Sequence, residues 1–274
     1  MASGIKKRTG SDYSDGRPGR INYHSEDEYR TITLTLQATA EDMHDITHLR
    51  DAVNELFDDE LMLREMRIKS VEVEYESMGQ RTGEMQLGAP EYVNGKQIKV
   101  AMVNSPEIDD TALVSTFTVE FETTESPYFE TIYTTLELHD SGYSATAEKY
   151  GLVDKIDSEK VKYRFTSKNF SVYNAGNVTI QPENMLLHIN VDAVQSSNNF
   201  TIRNKTTGEE VILKRESNGS NFRVQGMVIS LGGITNIFRD TNRRFISLVP
   251  GDNDFEVLNG TFSEIRFVFK FLYK

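Results

Sequence analysis

The alternation of apolar and polar positions is the strongest signal along this chain. In YRTITLTLQ, Ile32, Leu34 and Leu36 alternate with Thr31, Thr33 and Thr35. Successive strand residues point to opposite faces, so this stretch predicts a strand with one aliphatic and one hydroxyl side. The period then lengthens. Met43, Ile46, Leu49, Val53, Leu56 and Phe57 recur at spacings of three and four, which predicts one amphipathic helix, with Thr39 as its N-cap and Asp42 three residues later. In KSVEVEYES, Val71, Val73 and Tyr75 alternate with Glu72, Glu74 and Glu76, giving a strand with one acidic face. YVNGKQIKVAMV centres on Asn94-Gly95, the pair that best tolerates the positive φ angles of a two-residue type I′ turn. It predicts a β-hairpin arm comprising Tyr92, Val93, Asn94, Gly95, Ile98 and Val100, able to reach a neighbouring chain by edge pairing. A further strand sets Phe117, Val119 and Phe121 on one face and stops at Ser126-Pro127, because proline cannot donate to a ladder.

Residues 140–160 are rich in Ser, Gly, Lys and Asp and predict a linker. Beyond them the chain reads as short strands broken by Thr-Thr-Gly, Ser-Asn-Gly, Pro-Gly-Asp-Asn and Asn-Gly, the spacing of a sandwich. Its last strand places Ile265, Phe267, Phe269, Phe271 and Tyr273 on one face, taken as the core side. The expected organisation is an N-terminal domain over 1–145, a linker over 146–165 and a C-terminal β-sandwich over 166–274. The fold class is mainly β with one long helix.

Composition narrows function by exclusion. The chain has 274 residues, no cysteine and no tryptophan. Disulfides, zinc–thiolate sites and cysteine nucleophiles are therefore out, and packing alone must hold the fold. No segment has the length and apolarity of a membrane-spanning helix or a secretory signal. The net charge of −12 is uneven: residues 1–160 carry 16 Lys and Arg against 32 Asp and Glu, and residues 161–274 carry 14 against 10. An acidic first part opposes gripping a phosphate backbone, which needs clustered cations.

Each candidate for chemistry has a plainer reading that outweighs it. His44 and His48 sit four apart on the predicted helix, but HDITH lacks the glutamate of the zinc-peptidase pattern and no third ligand stands out. Asp252, Asp254 and Glu256 in GDNDFE suggest a calcium loop, yet its glycine hinge and distal glutamate are missing. Glu72, Glu74 and Glu76 form an open row with no enclosing pocket, a solvated face rather than a catalytic pair. No nucleophile, metal set or acid/base pair emerges and no cofactor is implied. The chain reads as a binding or structural protein rather than an enzyme.

Three stretches together resemble the distal tail (Dit) proteins of long-tailed phages infecting Gram-positive bacteria. They are SDGRPGRINYHSEDEYRTITLTLQA, a Gly-rich turn leading into an alternating strand before the helix; FTVEFETTESPYFE, the strand ending in Pro-Tyr; and YNAGNVTIQPENMLLHINV, continued by TIRNKTTGEEVIL and FISLVPGDNDFEVLNG. The resemblance implies an N-terminal belt domain, a sandwich with a helix and a β-hairpin arm, assembling as a hexameric ring around a channel, and a C-terminal galectin-like β-sandwich outside it. It implies as partners the chain itself, the tail-tube protein, the tail hub, and receptor-binding or baseplate proteins. It places the protein in the virion at the distal end of the tail, made in the host cytoplasm, with no membrane. DNA would pass through the channel without specific binding, and Glu72, Glu74 and Glu76 are candidates for an acidic lumen. The Gly-rich turn begins at Ser14 here, leaving little chain ahead of it for the further strand or two that family members carry. In this reading Asn174, Gly176 and Asn177 form the turn that starts the second sandwich, and Pro182 ends its first ladder. Two other readings remain, a carbohydrate-binding module recognising cell-wall glycan and a tail-tube or hub subunit.

Overall fold

Antiparallel pairing joins almost every alternating stretch to a partner in this computed structural model. It describes residues 2–12, 21–68, 90–92, 94–109, 111–151, 155–234 and 236–274, with the backbone alone at 12, 21, 22, 67, 68 and 90–92. In chain order the elements are β1 (Ala2–Asp12), β2 (Ile21–Thr39), α1 (Asp45–Phe57), β3 (Leu61–Leu63), β4 (Met66–Ile68), β5 (Pro90–Tyr92), β6 (Lys96–Met102), β7 (Val114–Thr123), β8 (Phe129–Thr131), α2 (Thr135–Ser141), α3 (Tyr143–Tyr150), β9 (Arg164–Phe165) and β10 (Asn169–Asn174). They continue with β11 (Leu187–Ser196), β12 (Phe200–Asn204), β13 (Glu209–Leu213), β14 (Ser217–Gln225), β15 (Val228–Leu231), β16 (Gly251–Leu258), β17 (Glu264–Phe269) and β18 (Leu272–Tyr273). The protein is mainly β. Two compact units form: one takes residues 1–63, 97–129 and Lys274, the other 64–96 and 130–273.

In the first unit the strands run β1-β2-β7-β6, with β3 on β6. Along β7, Phe117, Val119 and Phe121 face inward as their alternation predicts. With Ile32, Val53, Ile98 and Val100 they make the core, against which Leu34, Leu36, Leu49 and Phe57 pack. Helix α1 buries Ile46 and Val53 and sets Phe57 edge-on to Phe121, ring centroids 5.6 Å apart. Its outer positions depart from expectation: Met43 and Leu56 are 53% and 63% exposed. The cap also differs. Thr39 is the last residue of β2, and Asp42 Oδ1 accepts the backbone N–H groups of His44 and Asp45 at 2.8 and 3.0 Å, satisfying donors the helix leaves open.

The second unit contains a sandwich of two sheets, β10-β16-β12-β13 and β15-β14-β11-β17-β9. Aromatic side chains join them: Phe255 of β16 meets Phe267 of β17 at 4.9 Å, and Phe200 of β12 meets Phe222 of β14 at 6.3 Å. Ile265, Phe267, Phe269, Phe271 and Tyr273 are all buried, as the last strand's pattern predicts. The Thr-Thr-Gly turn joins β12 to β13, with Gly208 at φ 75° and its N–H on the Asn204 carbonyl. Ser217-Asn218-Gly219 makes no turn between strands. It lies inside β14, where Gly219 takes φ 79° and the register against β11 shifts, a bulge rather than a connection.

Among the described residues the expected linker 146–165 contains the end of one helix and a short strand. Helices α2 and α3 occupy much of 135–150, and their polar composition reflects exposed faces of short helices ended by Gly142 and Gly151 at φ 81° and 92°. Thr135 Oγ1 donates to the Phe267 carbonyl and accepts the Phe269 N–H. Thr131 donates its backbone N–H to the Phe271 carbonyl and accepts the Phe271 N–H on its Oγ1. Tyr163 is 0% exposed, stands edge-on to Phe269 at 5.6 Å, and donates its hydroxyl to the Tyr173 carbonyl. Residues 130–165 thus belong to the sandwich unit, so the first unit ends its main run at Phe129 rather than at 145.

Asn174 closes β10 and is 1% exposed. Its Nδ2 donates to the carbonyls of Val178 and Leu248, and its Oδ1 accepts the Gly176 N–H. A Cβ on Gly176 would lie 2.5 Å from the Leu272 carbonyl oxygen, so only glycine fits this approach. The asparagine and glycine are fold determinants, placed after the second strand of the sandwich rather than before its first.

Candidate functional site

The residues expected to form an arm separate into three groups. Glu72, Glu74 and Glu76, expected to face a lumen, lie outside the described residues, as does Val93. Tyr92 ends β5, which pairs with β4 (Met66↔Tyr92), whereas β6 pairs with β3 and β7. Asn94-Gly95 therefore does not close a hairpin between β5 and β6. Asn94 Oδ1 instead accepts the Lys96 N–H and the Gly95 carbonyl accepts the Ile132 N–H. Ile98 and Val100 are 1% and 0% exposed, core residues of their own unit rather than edge contacts. Alternation alone could not tell which face of β6 is covered.

The other candidates are spread out. His44 and His48 are exposed at the start of α1, and no group of three metal-ligating side chains occurs among the described residues. In GDNDFE two of the three carboxylates have protein partners: Asp252 pairs with Lys160 at 2.6 Å and Glu256 with Arg203 at 3.1 Å. Asp252 and Asp254 edge a groove of about 600 Å³ in the second unit, lined also by Lys160, Phe165, Phe170 and Tyr173. Phe165 and Phe170 stack there with centroids 4.3 Å apart.

A charged row crosses the five-stranded sheet. Asp140 binds Arg164, Arg164 and Arg266 share Glu264, and Asp192 receives both Arg266 and Arg223. The Arg164 hydrogen bond holds the Asp140 carboxyl below its ordinary range, since a nearby cation favours the charged form. These charges are matched within the protein.

Sequence reading missed the feature in the first unit most open to a partner. Strand β2 pairs with β7 only from Thr31 to Thr39, while its earlier residues pair with β1 alone, from Asp12↔Ile21 to Lys6↔Tyr29. The result is a two-stranded ribbon running on from the sheet. Lys6, Lys7 and Arg8 lie on β1, Glu26, Asp27 and Glu28 on β2, and Lys7 stands opposite Asp27. Opposite charges on the two segments, Lys6–Arg8 and Glu26–Glu28, were a readable signal for this pairing. At the ribbon's base Arg30 is buried, its Nε donating to the Pro127 carbonyl, Nη1 to Ser3 Oγ, and its guanidinium 4.9 Å from the Phe129 ring. Burial lowers its pKa.

Compared with known proteins, no family model matches the sequence and no curated relative matches it. Among solved structures, the chain is similar to the crystal structure of the Dit protein (gp 19.1) of phage SPP1, described as a paradigm of the hub adsorption apparatus in phages infecting Gram-positive bacteria. That match has a TM-score of 0.59 at 11% identity and covers 97% of this chain and 89% of that one. Two structures of the activated phage P2 baseplate, with calcium and with strontium, match at TM-scores of 0.36 and 0.36 with 11% and 12% identity, covering 98% and 97% of this chain and 87% and 87% of those. The SPP1 likeness establishes a shared fold over nearly the whole chain.

Proposed function

We propose that this chain is a distal tail protein of a long-tailed phage infecting a Gram-positive host, a structural subunit that closes a hexameric ring at the end of the tail. The observation that carries this reading is the shared fold with SPP1 Dit across 97% of the chain, reached from a sequence whose turn motifs had suggested the same family. The ring joins the tail tube to the hub and anchors receptor-binding or baseplate proteins on the outward sandwich. In that role many modest contacts become strong through ring closure, so the chain needs no nucleophile, metal or acid/base pair. The belt contacts come from the first unit. Light scattering followed by class-averaged electron microscopy tests this. A six-fold ring with an open centre is expected, and a single chain at every concentration overturns the reading.

A second reading has one observation behind it. The groove with the stacked Phe165–Phe170 pair and the polar rim of Asn169, Asp252 and Asp254 has the make-up of a carbohydrate platform, an apolar face for a sugar ring beside hydroxyl-binding groups. A glycan array tests it: binding lost on Phe170→Ala supports a cell-wall glycan site, and no binding removes it.

A further inference from the structure

We infer that the loop from Phe238 to Phe245 on the sandwich unit is a docking point for an acidic segment of another protein, with Arg239, Arg243 and Arg244 taking its carboxylates and the Phe238–Phe245 pair taking an apolar side chain between them. This rests on the anchoring reading and names the chemistry of one anchored partner. It involves no contact between copies in a ring.

Eight arginines follow residue 160. Arg164, Arg203, Arg215, Arg223 and Arg266 each lie within 3.6 Å of an Asp or Glu carboxylate. Arg239, Arg243 and Arg244 are the exceptions. All three are exposed, and none of their side chains has a hydrogen bond or ion pair among the described residues. They share one short loop.

That loop is held in shape. Thr241 is 1% exposed; its Oγ1 donates to the Phe238 carbonyl at 2.8 Å and accepts the Arg243 N–H at 3.1 Å. Asn242 fastens the loop to β13, its Nδ2 donating to the Glu210 carbonyl and its Oδ1 accepting the Ile212 N–H. Arg243 takes φ 57°, a conformation that a long side chain keeps only where its surroundings impose it. Phe238 and Phe245 are half-buried and stack at the two ends of the loop, centroids 5.7 Å apart. Lys214 and Arg215 border it: the Lys214 N–H binds the Asp240 carbonyl, and Arg215 Nη1 is 3.6 Å from Asp240 Oδ2. A frame already ordered loses little freedom on binding. Exposed arginines beside an aromatic pair have the make-up of the residues that dominate protein interfaces.

A guanidinium fork fits carboxylate and phosphate alike, and the surroundings choose between them. A phosphate polymer is gripped along a track of cations. Here the cations are gathered on one loop, while Glu209 and Glu210 lie on the adjoining strand and Glu216 follows Arg215. Those carboxylates repel a polyanion that runs on past the loop, but leave room for a short acidic segment. On a chain of net charge −12, a positive patch also steers such a segment to one place.

The probe is a fluorescein-labelled, acetylated peptide of Asp-Glu-Phe repeats, titrated with the full chain by fluorescence anisotropy at about 0.1 M salt. Asn-Gln-Phe repeats are the neutral control. Only the acidic peptide is expected to bind. R239E/R243E/R244E should weaken it by about tenfold or more. K162E/K168E/K205E changes the net charge equally through exposed lysines of the same unit, and should leave the affinity within about twofold. No binding of the acidic peptide to the natural chain, or equal losses in the two variants, overturns the docking point. So does loop-dependent binding of inorganic polyphosphate with none of the peptide, which makes the patch a phosphate site. A second arm needs no variant to fold: p-benzoyl-phenylalanine in place of the peptide's Phe should give photo-adducts that mass spectrometry maps to 214–215 or 238–245. Adducts confined to other parts of the chain overturn the assignment. Both arms read peptide binding and not assembled mass, so the docking point can fail while the ring stands, and the ring can fail while the docking point stands.

Discussion

The carboxylate of Asp27 lies 2.7 Å from Lys274 Nζ and accepts a hydrogen bond from the Tyr128 hydroxyl at 2.9 Å, so one ribbon residue ties together parts of the chain far apart in sequence. The Asp27 side chain is 7% exposed. The Lys274 hydrogen bond, helped by Tyr128, holds its pKa below the ordinary 3.8. Burial and the bond to Asp27 push the Tyr128 phenol up to about 12, which keeps it a donor at neutral pH. A depressed carboxylate pKa means the unfolded chain binds the proton first, so the stabilisation is fully present above the ordinary Asp value and is lost as pH falls through the folded one. Melting curves of the natural chain and Asp27→Asn should therefore differ by a constant amount from pH 7 to about 5 and converge below about pH 4.

Gly176→Ala should destabilise the sandwich unit by about 1–3 kcal/mol, the usual cost of overpacking. The new Cβ would meet backbone atoms, Leu272 O at 2.5 Å and N at 2.8 Å, which cannot rotate away. Gly4→Ala, with nothing within 4 Å of its Cβ, is the control and should leave the urea midpoint almost unchanged.

Asn253→Ala removes a buried amide that accepts the Val249 N–H at 3.0 Å and donates to the Val249 carbonyl at 2.8 Å, while Asn204 Nδ2 approaches its oxygen at 3.2 Å. Those groups would be left without their partner in a dry site. A loss of about 1–3 kcal/mol is expected, read from urea unfolding. Asn253→Asp should not rescue it, because a carboxylate cannot donate to the Val249 carbonyl.

Asp192→Asn leaves Arg223 and Arg266 facing each other without the carboxylate that both now bind. The Asp192 side chain is 25% exposed, so water compensates in part and a loss of about 1 kcal/mol is expected. The difference from the natural chain in thermal melts should shrink as salt is raised toward about 1 M.

What the sequence could disclose divides along the range of the forces involved. Phe117, Val119 and Phe121, and the run Ile265 to Tyr273, were readable because period-two burial is written in adjacent residues. Helix α1 was readable for the same reason, but its cap was not, since Thr39 and Asp42 are both competent and only the end of β2 decides between them. Ser217-Asn218-Gly219 carries the same chemistry whether it turns a chain or bulges a strand. Residues 146–165 read as a linker, and 130–145 as the end of the first domain, because the partners that bury Thr131, Thr135 and Tyr163 lie near 267–271, more than a hundred residues on. On the β1–β2 ribbon, KKR and EDE were visible, but not the register that sets residue 7 opposite residue 27.

The first unit takes residues 1–63, then 97–129, and finally Lys274, while the sandwich unit takes what lies between. Neither is therefore a bead that can be finished before the other begins. Strand β6 reaches β7 and β3 only after the excursion through β4 and β5 has been made, and Asp27 waits for Lys274, which follows the whole sandwich unit. Folding during synthesis usually completes the N-terminal domain first. Here the threading delays that unit, so a partly made chain presents its ribbon without the clasp at the base. The closing of that clasp is thereby tied to the synthesis of the sandwich unit that lies between its two halves.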